Sequence, residues 1–141
     1  MKIFTDSSFD DKRNVCGIGI YIEKGAENIT LSSYLNTDDN NYGELFAVYL
    51  AAILGHGKNC TIYTDSLTAI DYIENKIKEK PRTKDAYIRH QRMRLLAYKI
   101  RQLKPDIKWI KGHQKHYQQL CIGNQLADLL AKQGRAKLYE G

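Results

Sequence analysis

Two short apolar runs, far apart in this chain, end in the same way. Residues 2–5, Lys-Ile-Phe-Thr, lead into Asp6-Ser7, and residues 60–64, Cys-Thr-Ile-Tyr-Thr, lead into Asp65-Ser66. Runs of this length and make-up read as strands, so each strand delivers an acid where it closes. Two more carboxylates have related settings. Glu44 lies near the start of an apolar helical stretch, 45–53, with Asn40 and Asn41 ahead of it as cap residues, and Asp128 lies inside a helical stretch, 123–131. Acids so placed can converge on one spot. Convergence would be unfavourable without a counter-charge, because each ionised carboxylate raises the pKa of its neighbours. A hard divalent cation with oxygen ligands is the natural counter-charge.

The remaining pattern sets the order of elements. Runs at 2–5, 17–23 and 29–35, separated by turn-like segments at 10–14 and 24–28, predict three antiparallel strands. A buried helix over 42–54 stops at Gly55-His56-Gly57, and the strand 60–64 completes a β-α-β unit. Ala69, Ile70, Ile73 and Ile77 predict a helix over 67–80, stopped by Pro81. A third helix is expected from residue 84 to Pro105, with Ile88, Leu95, Leu96, Ile100 and Leu103 along one stripe and arginines on the other faces. A fifth strand, 107–110, and a last helix, 123–137, give β-β-β-α-β-α-α-β-α.

With 141 residues the chain is expected to form one domain, 1–141, burying roughly two-thirds of its unfolded surface. The hydrophobic fraction is 43%, and neither a long apolar span nor a signal-peptide pattern is present, so a soluble, cytoplasmic protein is expected. Cys16, Cys60 and Cys121 are odd in number and form no CxxC pair, which fits a reducing compartment. The net charge is +6, but residues 76–104 alone carry +9, with eleven Lys and Arg against Glu79 and Asp85. The rest of the chain is therefore at −3. So local an excess points to a polyanion as partner; the competing reading is that these side chains only solvate the outer faces of two helices.

Six segments, in order, resemble the type 1 ribonuclease H family, which includes the ribonuclease H domains of reverse transcriptases. They are Ile3-Phe4-Thr5-Asp6-Ser7-Ser8, Gly17-Ile18-Gly19-Ile20-Tyr21-Ile22, Asn40-Asn41-Tyr42-Gly43-Glu44-Leu45, Ile62-Tyr63-Thr64-Asp65-Ser66, Ile107-Lys108-Trp109-Ile110-Lys111-Gly112-His113 and Gly123-Asn124-Gln125-Leu126-Ala127-Asp128. The resemblance implies a ribonuclease H-like α/β fold, a mixed five-stranded sheet flanked by helices. The chain also departs from the family pattern. Where many bacterial members carry a basic, tryptophan-bearing handle, residues 76–84 are basic but short and lack tryptophan. Ser7 stands where Gly is frequent, Leu67 where Gln is frequent, and Gln125 where several relatives have Glu.

What the resemblance implies is hydrolysis of the RNA strand of an RNA/DNA hybrid, leaving 5′-phosphomonoesters. Two Mg²⁺ ions, with Mn²⁺ as substitute, would be held by Asp6, Glu44, Asp65 and Asp128. Asp6 would bridge the ions, Glu44 and Asp65 would complete the one at the leaving group, and Asp128 would hold the one that activates water. His113 would move a proton, as an imidazole titrating near neutral pH can. Ser8, Asn40, Asn41 and Asn124 would contact the RNA, with Lys84, Arg89 and Arg92 on the other strand's phosphates. The working unit would be a monomer, with no membrane and no small-molecule cofactor.

Structural readings of the same residues stay open. Asp6 and Asp65 are also plain turn or cap residues, Glu44 a partner for the helix dipole, and Asn40-Asn41 only caps. Two other functions stay open as well: a nucleic-acid-binding module without turnover, and a DNA nuclease or resolvase on the same scaffold.

Overall fold

The computed structural model describes residues 1–112 and 119–139. Alternation of side chains across β1 (Lys2–Asp10), β2 (Val15–Lys24) and β3 (Glu27–Asn36) builds an antiparallel meander. Gly25, the first of two loop residues between β2 and β3, takes φ 59, which a two-residue hairpin favours. After α1 (Asn40–Gly55), β4 (Thr61–Thr64) enters parallel to β1; after α2 (Leu67–Ile73) and α3 (Lys84–Gln102), β5 (Asp106–Trp109) pairs parallel with β4. The strand order is β3-β2-β1-β4-β5, a mixed five-stranded sheet of the expected class. A final helix, α4 (Gln119–Ala136), and a short 3-10 turn, Lys137–Tyr139, follow.

Period-two burial sorts the strands into two cores. Ile3, Ile18, Ile20, Ile22 and Ile62 face α1, α2 and α3, meeting Leu45, Val48, Met93, Leu96 and Ile100. Their neighbours Phe4, Tyr21 and Tyr63 face the opposite side, where α4 covers them with Leu126, Ala127 and Leu130. Phe4 and Tyr63 stack at 5.0 Å between ring centroids. A fully buried side chain of this kind contributes about 1.5–3 kcal/mol. The sheet face under α4 also carries Gly17 and Gly19, where a Cβ would strike the carbonyl oxygens of Ala131 and Ala127. Glycine there lets α4 lie directly on β2.

Three boundaries and one buried stripe differ clearly from the sequence reading. Strand β1 does not close at Thr5; pairing with β2 continues to Asp10↔Val15, so Asp6 sits mid-strand opposite Gly19. The ladder overrides the weak strand propensity of Asp and Ser. Helix α2 ends at Ile73 rather than at Pro81, because Asn75 takes a left-handed φ of 58 and the Asn75 and Lys76 amides bond back to Tyr72 and Asp71. This is a Schellman ending with Asn in place of Gly. The buried stripe of α3 is Met93, Leu96, Ala97 and Ile100, whereas Ile88 and Leu95 are exposed. Lastly, α4 begins at Gln119, four residues before the expected start. Cys16, Cys60 and Cys121 form no disulfide, and among the described residues no helix is long and apolar enough to cross a membrane.

Candidate metal centre

Parallel pairing of β1 with β4 ends at Phe4↔Tyr63, and both chains then run past the edge of their shared ladder. Asp6 lies two residues beyond that point on β1, and Asp65 directly follows β4. Helix α1 brings Glu44 to the same place. Its N-cap is Asp39, whose Oδ1 accepts the Asn41 amide at 3.0 Å; Asn40 and Asn41, expected as caps, are its first helical residues. Their side chains are thereby released from capping.

Asp6, Glu44 and Asp65 each offer a carboxylate oxygen, and these oxygens lie within 4.8 Å of one another. Asp65 is held by its surroundings. Thr64 Oγ1 accepts the Ser66 amide at 3.2 Å, Ser66 Oγ accepts the Ala69 amide at 3.0 Å, and the Trp109 indole N–H donates to the Asp65 carbonyl at 3.1 Å. Gly112 closes the other side, where a Cβ would come 2.5 Å from Asp65 Oδ2. The Ser66 cap therefore starts α2 and aims Asp65 at once.

The electrostatics follow from burial and crowding. Asp6 is pushed up to about 9, first by burial, then by the charges of Glu44 and Asp65, with Asp128 adding to the rise; the Ser7 amide, donating to Asp6 Oδ1 at 2.9 Å, opposes it. Glu44 rises to about 8, again first by burial, opposed by the nearby Ser7 hydroxyl and raised further by Asp65 and Asp128. Among the described residues that hydroxyl closes no hydrogen bond of normal geometry, and Glu44 Oε2 is buried without a partner. The crowded acids thus hold protons more tightly than separate carboxyls would. An all-oxygen donor set with a partnerless buried oxygen suits a hard divalent cation, which would replace those protons.

Asp128 is not part of this close trio. It lines the same cavity, of about 930 Å³, and is engaged by Lys132 Nζ at 3.1 Å, one turn along α4. Ser8, Asn40 and Asn41 line the cavity too, together with Phe9, Leu67, Thr68, Trp109 and Gly112. Asn124 is buried one turn before Asp128, and its Oδ1 has no partner among the described residues. His113 lies outside the described residues. A second groove of about 650 Å³ adjoins the cavity through Asn41 and Thr68, and is lined by Lys76, Lys78, Lys80, Arg89 and His90 among others. Arg89 Nη2 there bonds Asp38 Oδ2 at 3.0 Å. Lys84 and Arg92, exposed on α3, line neither the cavity nor the groove. Sequence reasoning overlooked Trp109 and Lys132. The only tryptophan of the chain, just ahead of Lys-Gly-His, was the available signal for the first. A lysine four residues after Asp128 was the signal for the second.

A mixed five-stranded sheet with converging acids at the exit of its two central parallel strands defines a ribonuclease H-fold protein with a carboxylate cluster of a kind that could hold a metal ion. The family profile described as RNase H matches residues 1–136, and the chain belongs to that family. Among solved structures, it superposes on the native prototype foamy virus protease-reverse transcriptase with a TM-score of 0.66 and 23% identity, covering 95% of this chain and 20% of that one. The selenomethionine-labelled CSH mutant of that protein gives a TM-score of 0.69 at the same identity and coverage. The chain thus spans about a fifth of those polypeptides. No curated protein matches it.

Proposed function

We propose that the chain is a metal-dependent endoribonuclease that hydrolyses the RNA strand of an RNA/DNA hybrid, leaving 5′-phosphate and 3′-hydroxyl ends. The observation that carries this reading is the meeting of Asp6, Glu44 and Asp65 within 4.8 Å. Membership of the RNase H family supports it. Asp6, Glu44, Asp65 and Asp128 are the residues that would hold two Mg²⁺ ions, or Mn²⁺ in their place. Such a pair supplies an activated water and neutralises charge on the leaving oxygen.

The chain's own groups do the rest. Asp6, central on β1, faces both Glu44 and Asp65, while Asp128 approaches from α4. Lys132 holds Asp128 until a cation competes for it. Ser8, Asn40 and Asn41, whose side chains border the acids, offer hydrogen bonds to 2′-hydroxyls, the groups that tell RNA from DNA. Asn124, a turn before Asp128, offers its buried Oδ1 as a further contact to the RNA. Arg89 and the groove lysines receive phosphates of the second strand, with Lys84 and Arg92 to either side of Arg89 on α3. His113, following Gly112, protonates the 3′-oxygen as it leaves. The unit acts as a single domain over 1–141, as a monomer, in a reducing cytoplasm.

The test is cleavage of a labelled RNA/DNA hybrid, beside double-stranded RNA, single-stranded RNA and double-stranded DNA, with Mg²⁺, Mn²⁺ or EDTA. Cutting of the hybrid's RNA strand alone, lost with EDTA and in Asp65→Asn, is expected. Binding without cutting would make the chain a nucleic-acid-binding module. Cutting of DNA would make it a resolvase-like nuclease.

A further inference from the structure

Two large apolar side chains stand open to solvent at the rim of the acidic cavity. Leu67 is 56% exposed and Trp109 45% exposed, and both line the cavity that holds the carboxylates. They flank Asp65 from two elements: Leu67 opens α2 one residue after its Ser66 cap, and Trp109 closes β5 level with Thr64. Helix α2 and β5 are in contact, so the two side chains border one side of the site. The indole is not free to turn away, because its N–H is committed to the Asp65 carbonyl at 3.1 Å. With that donor used, what Trp109 shows to the cavity is hydrocarbon. Leu67 has nothing but hydrocarbon to show.

Exposed apolar side chains are ordinary singly, but two on one rim of an acidic cavity offer a bound molecule apolar area whose burial adds to its affinity. On the proposed reading of the site, the polynucleotide backbone passes here. The bases of a duplex are stacked on one another, so the apolar surface its backbone offers is the C–H face of a sugar. We infer that Leu67 and Trp109 form an apolar ledge that packs against the sugar of the nucleotide next to the cleaved phosphate, on the Asp65 side. This inference rests on the proposed nuclease reading and adds to it a contact that is hydrophobic rather than hydrogen-bonded. The ledge ties substrate grip to metal geometry, since the same indole that touches the sugar pins the backbone of Asp65.

Trp109 is the only tryptophan of the chain, so its emission reports the ledge alone. The experiment is a titration with an RNA/DNA hybrid in Ca²⁺, which takes oxygen ligands in looser geometry than Mg²⁺, read by Trp109 emission and by anisotropy of a labelled hybrid. A blue shift and loss of iodide quenching, saturating with the same Kd as the anisotropy, are expected. Leu67→Ala is expected to weaken hybrid binding by about fivefold, the scale of burying part of one leucine, and Leu67→Met to restore it. Mn²⁺ affinity measured by calorimetry should be unchanged in both variants. Hybrid binding with unshifted emission, unchanged iodide access and a Leu67→Ala variant that binds like the parent would overturn the ledge and leave the nuclease reading standing. No hybrid binding at all would overturn both.

Discussion

At the scale of single residues, Asp6 carries the largest conflict. It is 4% exposed, shares its surroundings with two other acids, and is pushed from 3.8 up to about 9. A carboxyl whose folded pKa is raised contributes stability that is full below its unfolded pKa and lost as pH rises through its folded pKa. The metal-free protein should therefore lose stability steadily as pH rises from about 4 to about 9, with Glu44, raised to about 8, acting in the same direction. Calorimetric melts in EDTA across that range would check this, and Mg²⁺ should flatten the decline. Asp6→Asn should raise the metal-free stability at alkaline pH by about 1–3 kcal/mol, less than the full shift because the neighbours retitrate. The same change should abolish Mn²⁺ binding. A protein that is no more stable as Asp6→Asn would mean that the acids do not crowd as described.

At the scale of elements, the site depends on how closely α4 lies on β2. Gly19 faces Asp6 across the β1–β2 ladder and sits under the Ala127 carbonyl, one residue from Asp128. Gly19→Ala should cost about 1–3 kcal/mol by overpacking, seen as a lower urea midpoint. It should also weaken Mn²⁺ binding, because the helix that carries Asp128 must lift. Asp39→Ala should cost about 1 kcal/mol through loss of the α1 cap, and Asn40→Ala should leave stability nearly unchanged while weakening hybrid binding. The sequence placed the cap one residue too late. Asp39 and the two asparagines after it are all good capping types, and only the backbone's path out of β3 selects among them. The end of α2 was misread for a similar reason: Pro81 is a certain stop, but Asn75 entering the left-handed region stops the helix sooner.

For the whole molecule, charge and shape divide the work. The excess of +9 in residues 76–104 was legible as a polyanion-binding feature. Its distribution over the surface was not. Lys76, Lys78, Lys80 and Arg89 border a groove that continues from the acidic cavity, whereas Arg92 lies on the outer part of α3. Replacing both Lys78 and Lys80 by Ala should lower the slope of log K against log salt for hybrid binding by roughly 2, one for each lost phosphate contact. Arg92→Ala should change it less. Anisotropy titrations over a salt series would decide, and equal slopes for the two variants would remove the groove from the binding path.

The sequence by itself determined the order of the elements, the class of sheet and the family, and it singled out four acids that the fold gathers at one cavity, because hydrophobic period and strand-closing residues are local properties of the chain. Tertiary structure alone decided that β1 runs through Asp6, that Asp6, Glu44 and Asp65 form the close trio while Asp128 reaches Asp6 from α4 and is also engaged by Lys132, and that Trp109 and Gly112 border Asp65. These outcomes depend on pairing and packing between residues as much as about 120 positions apart, as Asp6 and Asp128 are. No local pattern encodes such distances, since register and helix approach are set by the partner surface and not by the segment itself.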